Sequence, residues 1–329
     1  KSDCRRPICL LLAAAVAHAG VTAMAGATRG AEIAGGGPAG RAGATATSIF
    51  KRSHIPIWCD GPTDFQSYNV DVLMQDMNLV VEAEVPPWRE FVAARHAAGR
   101  LVCAEMRPLT HMGNMLEWAM NDAGMQEAVC RDLDLQPIPI LWMKEHPYQG
   151  RIPPFYCSNH PRYREFLRQQ IRMFVQTGAD AVMVDDGGGS PFGLRHGGCF
   201  CRYCVEGFRV YLRNKYPAAR LREQGVEEPE TFDYRRFALR RAGDLASYKK
   251  LLSPGKLPFS ADFQRFLRES DVALFRELQA LASQLSGRHI PMGWDNVDCG
   301  GQYAPYYPFW DAFFSEITSG SAGSAPSTA

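Results

Sequence analysis

The 329-residue chain lacks an excess of charge of either sign. Its 36 Lys and Arg residues are balanced by 35 Asp and Glu residues, which leaves a formal net charge of +1. Surfaces that bind nucleic acid or anionic membranes need a concentration of basic residues. The composition therefore argues against both of these partners and leaves small molecules and neutral polymers as the expected ligands.

Long hydrophobic runs are also scarce. The apolar run from Ile8 to Ala17 is shorter than the roughly 20 residues that a membrane-spanning helix needs. Because it follows Arg5 and Arg6 and precedes small residues, it predicts a signal peptide over residues 1–25 and export to the periplasm or the medium. We expect no membrane association after cleavage.

Two segments have few large apolar residues and so cannot bury enough surface to fold. They predict a disordered Gly/Ala-rich linker over residues 26–48 and a disordered tail over residues 318–329. One folded domain is expected between them, over residues 49–317. The sequence leaves the oligomeric state open, a homo-oligomer included.

Within this domain, short apolar runs alternate with amphipathic stretches. Six runs predict strands, over residues 54–60, 78–84, 101–105, 181–185, 290–295 and 312–316. Helices are predicted over residues 87–98 and 161–178. The alternation indicates an α/β fold with a parallel sheet, and the acidic strand ends favour a (β/α) TIM-type barrel. Because such a barrel has eight strands, we expect it to be incomplete at its C-terminal end.

Most of the predicted strands end in an acidic residue. In a barrel these ends converge on one cavity, where a pair of carboxylates can hydrolyse a glycosidic bond. The predicted catalytic residues are Asp185, Asp186, Asp295 and Glu316. The predicted substrate-binding residues are Asp60, Glu105, Trp294 and Asn296. The alternatives are that the acids cap helices and that Trp294 belongs to the ordinary core.

Three cysteines follow the fourth predicted strand in a C-x-C-x2-C pattern: Cys199, Cys201 and Cys204. Thiols at this spacing cannot easily pair with one another as disulfides, but they suit thiolate ligation of a tetrahedral metal such as zinc. Unligated or disulfide-bonded thiols are the alternative. A redox role for Cys201 and Cys204 is less favoured, because a redox C-x2-C normally opens a helix in a thioredoxin-like unit.

Two segments resemble family 42 glycoside hydrolases, which are bacterial β-galactosidases on a (β/α)8 barrel. Residues 155–164, FYCSNHPRYR, resemble the family's Y-C-P-N-S-P-x-Y-R segment. Residues 184–216 resemble its D-N-E-Y, C-Y-C-x2-C and F-R-x-W-L-x3-Y motifs in the same order. The resemblance implies a carbohydrate substrate and a structural zinc ion held by Cys157, Cys199, Cys201 and Cys204.

The chain departs from this family where the acid/base glutamate is expected. Alignment on Asp185 places Asp186 at the family's Asn and Gly187 at its Glu, and glycine cannot transfer a proton. This favours a glycosidase-like branch in which Asp185 or Asp186 takes the role. The sequence thus predicts a glycoside hydrolase that cleaves O-glycosidic bonds. The alternative is a non-catalytic carbohydrate-binding or structural relative that keeps the barrel and the zinc loop.

Overall fold

The computed structural model describes residues 56–60, 71–108, 113–145, 147–185, 189–252, 256–295 and 311–314. Six parallel strands form one sheet in sequence order. They are β1 Pro56–Asp60, β2 Val72–Asp76, β3 Leu101–Met106, β4 Ala181–Val184, β5 Met292–Asp295 and β6 Ala312–Phe314. The α/β class and the parallel sheet are as predicted. Among the described residues β1 and β6 are the two edges of the sheet.

Ten α-helices are described between the strands: α1 Val85–Ala97, α2 Gly113–Asn121, α3 Ala123–Glu127, α4 Pro161–Thr177, α5 Ser190–Gly193, α6 Arg202–Lys215, α7 Ala218–Glu223, α8 Tyr234–Ala242, α9 Leu245–Leu251 and α10 Ser260–Ser286. The predicted helix over residues 161–178 is confirmed as α4. Pro161 occupies its first turn, and Gly178 ends it with φ 86°, a left-handed conformation that costs glycine little.

The second strand lies earlier than the sequence predicts. The predicted strand over residues 78–84 is wrong: its last three residues, Glu82–Glu84, form a short 3₁₀ turn that leads into α1. The Glu84 carboxylate accepts hydrogen bonds from the backbone N–H groups of Val80 and Val81, and Val81 is exposed. All five side chains of β2 are buried. Burial in the sheet therefore outweighs the β-branched composition of residues 80 and 81.

The helices build two apolar cores. The first packs α1, α4 and α10 against the sheet. The second lies outside the sheet, between the segment that precedes α4 and the helices α6 to α10. Its members include the aromatic residues Phe200, Phe208, Tyr234 and Phe263 and five of the buried cysteines. The chain on both sides of β4 is thus held in one packed unit.

No helix of the described ranges is both long and apolar enough to cross a membrane. The predicted signal peptide, linker and C-terminal tail fall outside the described residues and stay predictions.

The second core should depend on Phe263, whose ring centroid lies 5.1 Å from that of Phe200 and 5.0 Å from that of Phe208. Phe263→Ala should lower the free energy of unfolding by about 3–5 kcal/mol, because it removes buried apolar area and leaves a cavity. Urea unfolding followed by near-ultraviolet circular dichroism measures the change. Val210→Ala, at an exposed position of α6, is the control and should cost less than about 0.5 kcal/mol. Equal losses in both variants would contradict this packing.

Candidate active site and thiol cluster

Carboxylates from three neighbouring strand ends converge on Arg107, which follows β3 directly. Its guanidinium nitrogens lie 2.9 Å from an Asp76 oxygen, 2.5 Å from a Glu105 oxygen and 3.4 Å from an Asp185 oxygen. The sheet explains the convergence, because Asp76 of β2 pairs in register with Glu105 of β3. The N–H of Asp185 donates to the carbonyl of Met106, 2.9 Å away, and so extends the pairing of β3 and β4.

This group of four charged residues, the Arg107 cluster, is largely shielded from water. The side chains of Asp76, Glu105 and Arg107 are 2%, 0% and 7% exposed, whereas Asp185 is 18% exposed. Burial alone would lower the pKa of Arg107, but the Glu105, Asp76 and Asp185 carboxylates outweigh it and raise the pKa above its usual value. Arg107 therefore stays charged and holds three carboxylates together.

Several predicted site residues lie at the same edge of the sheet. Asp60 and Asp295 end β1 and β5, so their backbones stand at the carboxyl edge together with Glu105 and Asp185. Trp294 is buried, and its ring packs against those of Phe192 and Phe275, as the core interpretation expects. Three further predicted residues lie outside the described residues: Asp186, Asn296 and Glu316.

Sequence reasoning missed two members of the Arg107 cluster. Asp76 was overlooked because the second strand was predicted several residues too late. Arg107 was overlooked because only acidic strand ends were considered. A search for the cation that must neutralise buried acids would have found it, since Arg107 lies two residues after Glu105.

The four predicted metal ligands do come together. The Sγ atoms of Cys157, Cys199, Cys201 and Cys204 all lie within 4.8 Å of one another and are buried. The Sγ of Cys157 is 3.4 Å from those of Cys201 and Cys204. In a tetrahedron of sulfurs that each lie about 2.3 Å from a central zinc ion, the sulfurs are only slightly farther from one another than Cys157 is from Cys201 and Cys204. The donor set therefore fits such an ion. A buried tetrahedral set of four thiolates suits zinc and iron alike.

A fifth cysteine, which sequence reasoning missed, lies beside this thiol cluster. Cys130 donates its S–H proton to the carbonyl of Tyr156, 3.2 Å away. Burial raises the pKa of Cys130. Burial would also raise the pKa values of Cys157 and Cys199, but the neighbouring thiols outweigh it and lower both. Cys130 is thus a protonated thiol beside the ligand set, with its proton hydrogen-bonded to the Tyr156 carbonyl.

The alternative interpretation of these thiols as disulfides is wrong for the described residues. The six cysteines whose side chains the structure describes are free: Cys103, Cys130, Cys157, Cys199, Cys201 and Cys204.

Sequence comparison relates the chain to agar-degrading enzymes. It is 31% identical over 122 residues to an α-agarase of Alteromonas agarilytica, covering 35% of this chain and 8% of the relative. It is 28% identical over 151 residues to an α-agarase of Thalassotalea agarivorans, covering 42% of this chain and 10% of the relative. The chain thus spans a tenth or less of the length of these curated relatives. No family model matches, so membership of family 42 stays a prediction.

Structure comparison finds Aspergillus fumigatus Ega3 in complex with galactosamine, at a TM-score of 0.35 and 10% identity, covering 76% of this chain and 61% of that one. It also finds the glycoside hydrolase domain of PelA from Pseudomonas aeruginosa, at a TM-score of 0.32 and 8% identity, covering 79% and 66%. Superpositions this loose carry no argument about the chain.

The thiol cluster predicts which cysteines a metal needs. Cys204→Ser should abolish stoichiometric zinc binding, because three thiolates and a hydroxyl hold the ion far more weakly. Cys130→Ser should still bind one zinc ion, because Cys130 lies outside the ligand set. Metal analysis of purified protein and a competition assay with a chromophoric chelator measure both. If Cys130→Ser lost the zinc ion while Cys204→Ser kept it, this ligand assignment would be contradicted.

Arg107 should be essential for stability at neutral pH. Arg107→Met should lower the free energy of unfolding by about 3–5 kcal/mol, because it leaves buried carboxylates without a counter-charge. The loss of stability should be smaller at about pH 4, because protonated carboxylic acids carry no charge for a cation to neutralise. Urea unfolding at both pH values measures this. Arg236→Met, at an exposed position of α8, is the control, and a pH-independent loss at Arg107 would contradict the electrostatic explanation.

Proposed function

We propose that the chain carries the catalytic module of a glycoside hydrolase that cleaves O-glycosidic bonds in a polysaccharide. The observation that carries the proposal is the convergence of three strand-end carboxylates at one edge of a parallel sheet. Carboxylate pairs at such an edge are the usual means of glycoside hydrolysis. The similarity to two α-agarases makes agar the first substrate to test.

Within the Arg107 cluster, Asp185 is the group that a substrate can reach. Its side chain is 18% exposed, whereas Asp76 and Glu105 are almost fully buried beside Arg107. An ion pair with a guanidinium stabilises the charged form of a carboxylate. We therefore assign Asp185 the role of nucleophile or stabiliser of the developing oxocarbenium ion. Asp76 and Glu105 keep Arg107 in place.

The second carboxylate of the pair would donate a proton to the leaving oxygen. Three of the acids predicted from the sequence remain for that role: Asp186, Asp295 and Glu316. Asp186 follows Asp185 directly, and Asp295 ends the neighbouring strand β5.

We further propose that the six strands belong to a (β/α) TIM-type barrel. Each strand pairs with its successor in parallel, which is the order in which barrel strands follow one another. In such a barrel the Arg107 cluster would lie at the mouth where the reaction takes place.

The metal at the thiol cluster is proposed to be a structural zinc ion in an exported protein. Four cysteine ligands leave no open position for water or substrate, so the ion would take no part in hydrolysis. Its function would be to fix the chain on both sides of β4, because Cys157 precedes that strand and the other three ligands follow it.

Replacement of Asp185 tests this assignment. Asp185→Asn should lower turnover at least about 100-fold, because the amide cannot form a covalent intermediate or stabilise positive charge. Release of reducing ends from soluble agarose oligosaccharides measures turnover. Asp134→Asn is the control, because Asp134 is exposed and distant in sequence from the ends of the strands.

Turnover that survives in the Asp185 variant would show that the reacting carboxylate lies elsewhere. A wild-type protein that binds agarose oligosaccharides in calorimetry without cleaving them would favour the non-catalytic relative, an outcome for which Gly187 at the acid/base position provides a reason.

A further inference from the structure

A buried network of two serines and one aspartate links the thiol cluster to the chain that follows Asp185. Ser190 begins α5, five residues after Asp185, and its Oγ lies 3.3 Å from the Sγ of Cys157 and 3.8 Å from that of Cys204. Ser158, which follows Cys157 directly, donates its hydroxyl proton to the Asp271 carboxylate of α10. All three residues are buried.

The two serines of this network are joined by a reciprocal pair of hydrogen bonds. The N–H of Ser190 donates to the Oγ of Ser158 at 3.0 Å, and the N–H of Ser158 donates to the Oγ of Ser190 at 3.1 Å. Each hydroxyl therefore accepts from the other residue's backbone and keeps its proton for another acceptor. The Ser158 proton goes to Asp271, and the Ser190 proton goes to the Cys157 sulfur. Every donor of the pair is satisfied, which is what makes a buried polar network rigid.

The residue before Ser190 shows how closely the chain approaches this network. A Cβ atom on Gly189 would collide with both the Asp271 carboxylate and the Ser158 hydroxyl. Only glycine fits there, so the backbone that leads into α5 is held directly against the network.

We propose that Ser190 is a positioning residue, which transmits metal occupancy of the thiol cluster to the start of α5, five residues after Asp185. A bound metal fixes the Cys157 sulfur, the Ser190 hydroxyl then has a fixed acceptor, and the start of α5 is anchored. Without the metal, the four sulfurs lose their common centre and the Ser190 hydroxyl loses a defined partner. Only the consequence for catalysis rests on the proposed function, whereas the coupling itself does not.

Hydrogen exchange of the full-length chain tests the coupling without any activity assay. In the wild type, removal of zinc with a chelator should speed exchange of the amides of residues 189–194 about tenfold, because a charge-assisted hydrogen bond that holds the start of α5 is lost. In zinc-loaded Ser190→Ala the same treatment should change exchange by less than about threefold, because the link is already cut. Ser260→Ala is the matched control: Ser260 is buried, and its hydroxyl has no hydrogen-bond partner among the described residues.

A second readout reports on the sulfur itself. In the cobalt-substituted protein, Ser190→Ala should shift the sulfur-to-cobalt charge-transfer band, because a hydrogen bond to a ligand thiolate changes its electron density. Ser260→Ala should leave the band in place. A purely structural effect of the substitution would not select this band.

The outcomes separate the coupling from the glycosidase proposal. Metal-dependent exchange that is as large in Ser190→Ala as in the wild type, with one zinc ion bound, would overturn the coupling. If Ser190→Ala loses zinc or fails to fold, Ser158→Ala decides, because it keeps the Ser190 hydroxyl beside Cys157 but removes the acceptor of the Ser190 amide. Because the link to the Cys157 sulfur is kept, removal of zinc should still speed exchange across residues 189–194 in this variant, and exchange that no longer depends on zinc would overturn the proposal. Where agarose is cleaved, zinc-loaded Ser190→Ala should lower kcat and leave KM unchanged.

Discussion

The ion pairs of Arg107 are the interaction on which the carboxyl edge of the sheet depends. Three acids from three consecutive strands would repel one another in a region almost closed to water. One guanidinium with several donors in a plane can bind them all, which a lysine ammonium could not do with the same geometry. The strand ends of β2, β3 and β4 are thereby drawn together, and the most exposed acid, Asp185, is held in a fixed orientation.

The thiol cluster joins the segments of chain on the two sides of β4. It lies in an apolar core outside the sheet, yet its ligands come from the chain immediately before α4 and immediately before and within α6. β4 lies between these two points in the sequence. The strand that delivers Asp185 is therefore held by backbone pairing on its sides and by the cysteines at its flanks, so the position of Asp185 does not depend on β4 alone.

The features that sequence could predict are those with a local signal. Pro161 and Gly178 define the limits of α4, and the spacing of Cys199, Cys201 and Cys204 indicates a metal loop. Cys157, more than forty residues earlier, could be assigned only by resemblance to a family. The structure brings Cys157 together with the other three cysteines, so the local spacing and the family resemblance agree.

Other features needed the third dimension. The position of β2 was mistaken because residues 80 and 81 have the better strand composition, while burial decides the pairing. Arg107 and Cys130 carry no motif, and the network of Ser158, Ser190 and Asp271 joins residues that are 32 and 113 positions apart. Such contacts follow from packing, which no pattern in a short window reports.

The wide separation of these contacts has a consequence for biosynthesis. Ser158 and Cys157 leave the ribosome long before α10, which supplies both Asp271 and the aromatic residues that close the second core. Contacts this distant in sequence form slowly and leave apolar surface uncovered in the meantime. During that interval the cysteines are already made but not yet enclosed. The nascent chain therefore depends on reducing surroundings, or on early capture of a metal ion, until its last long helix has been synthesised.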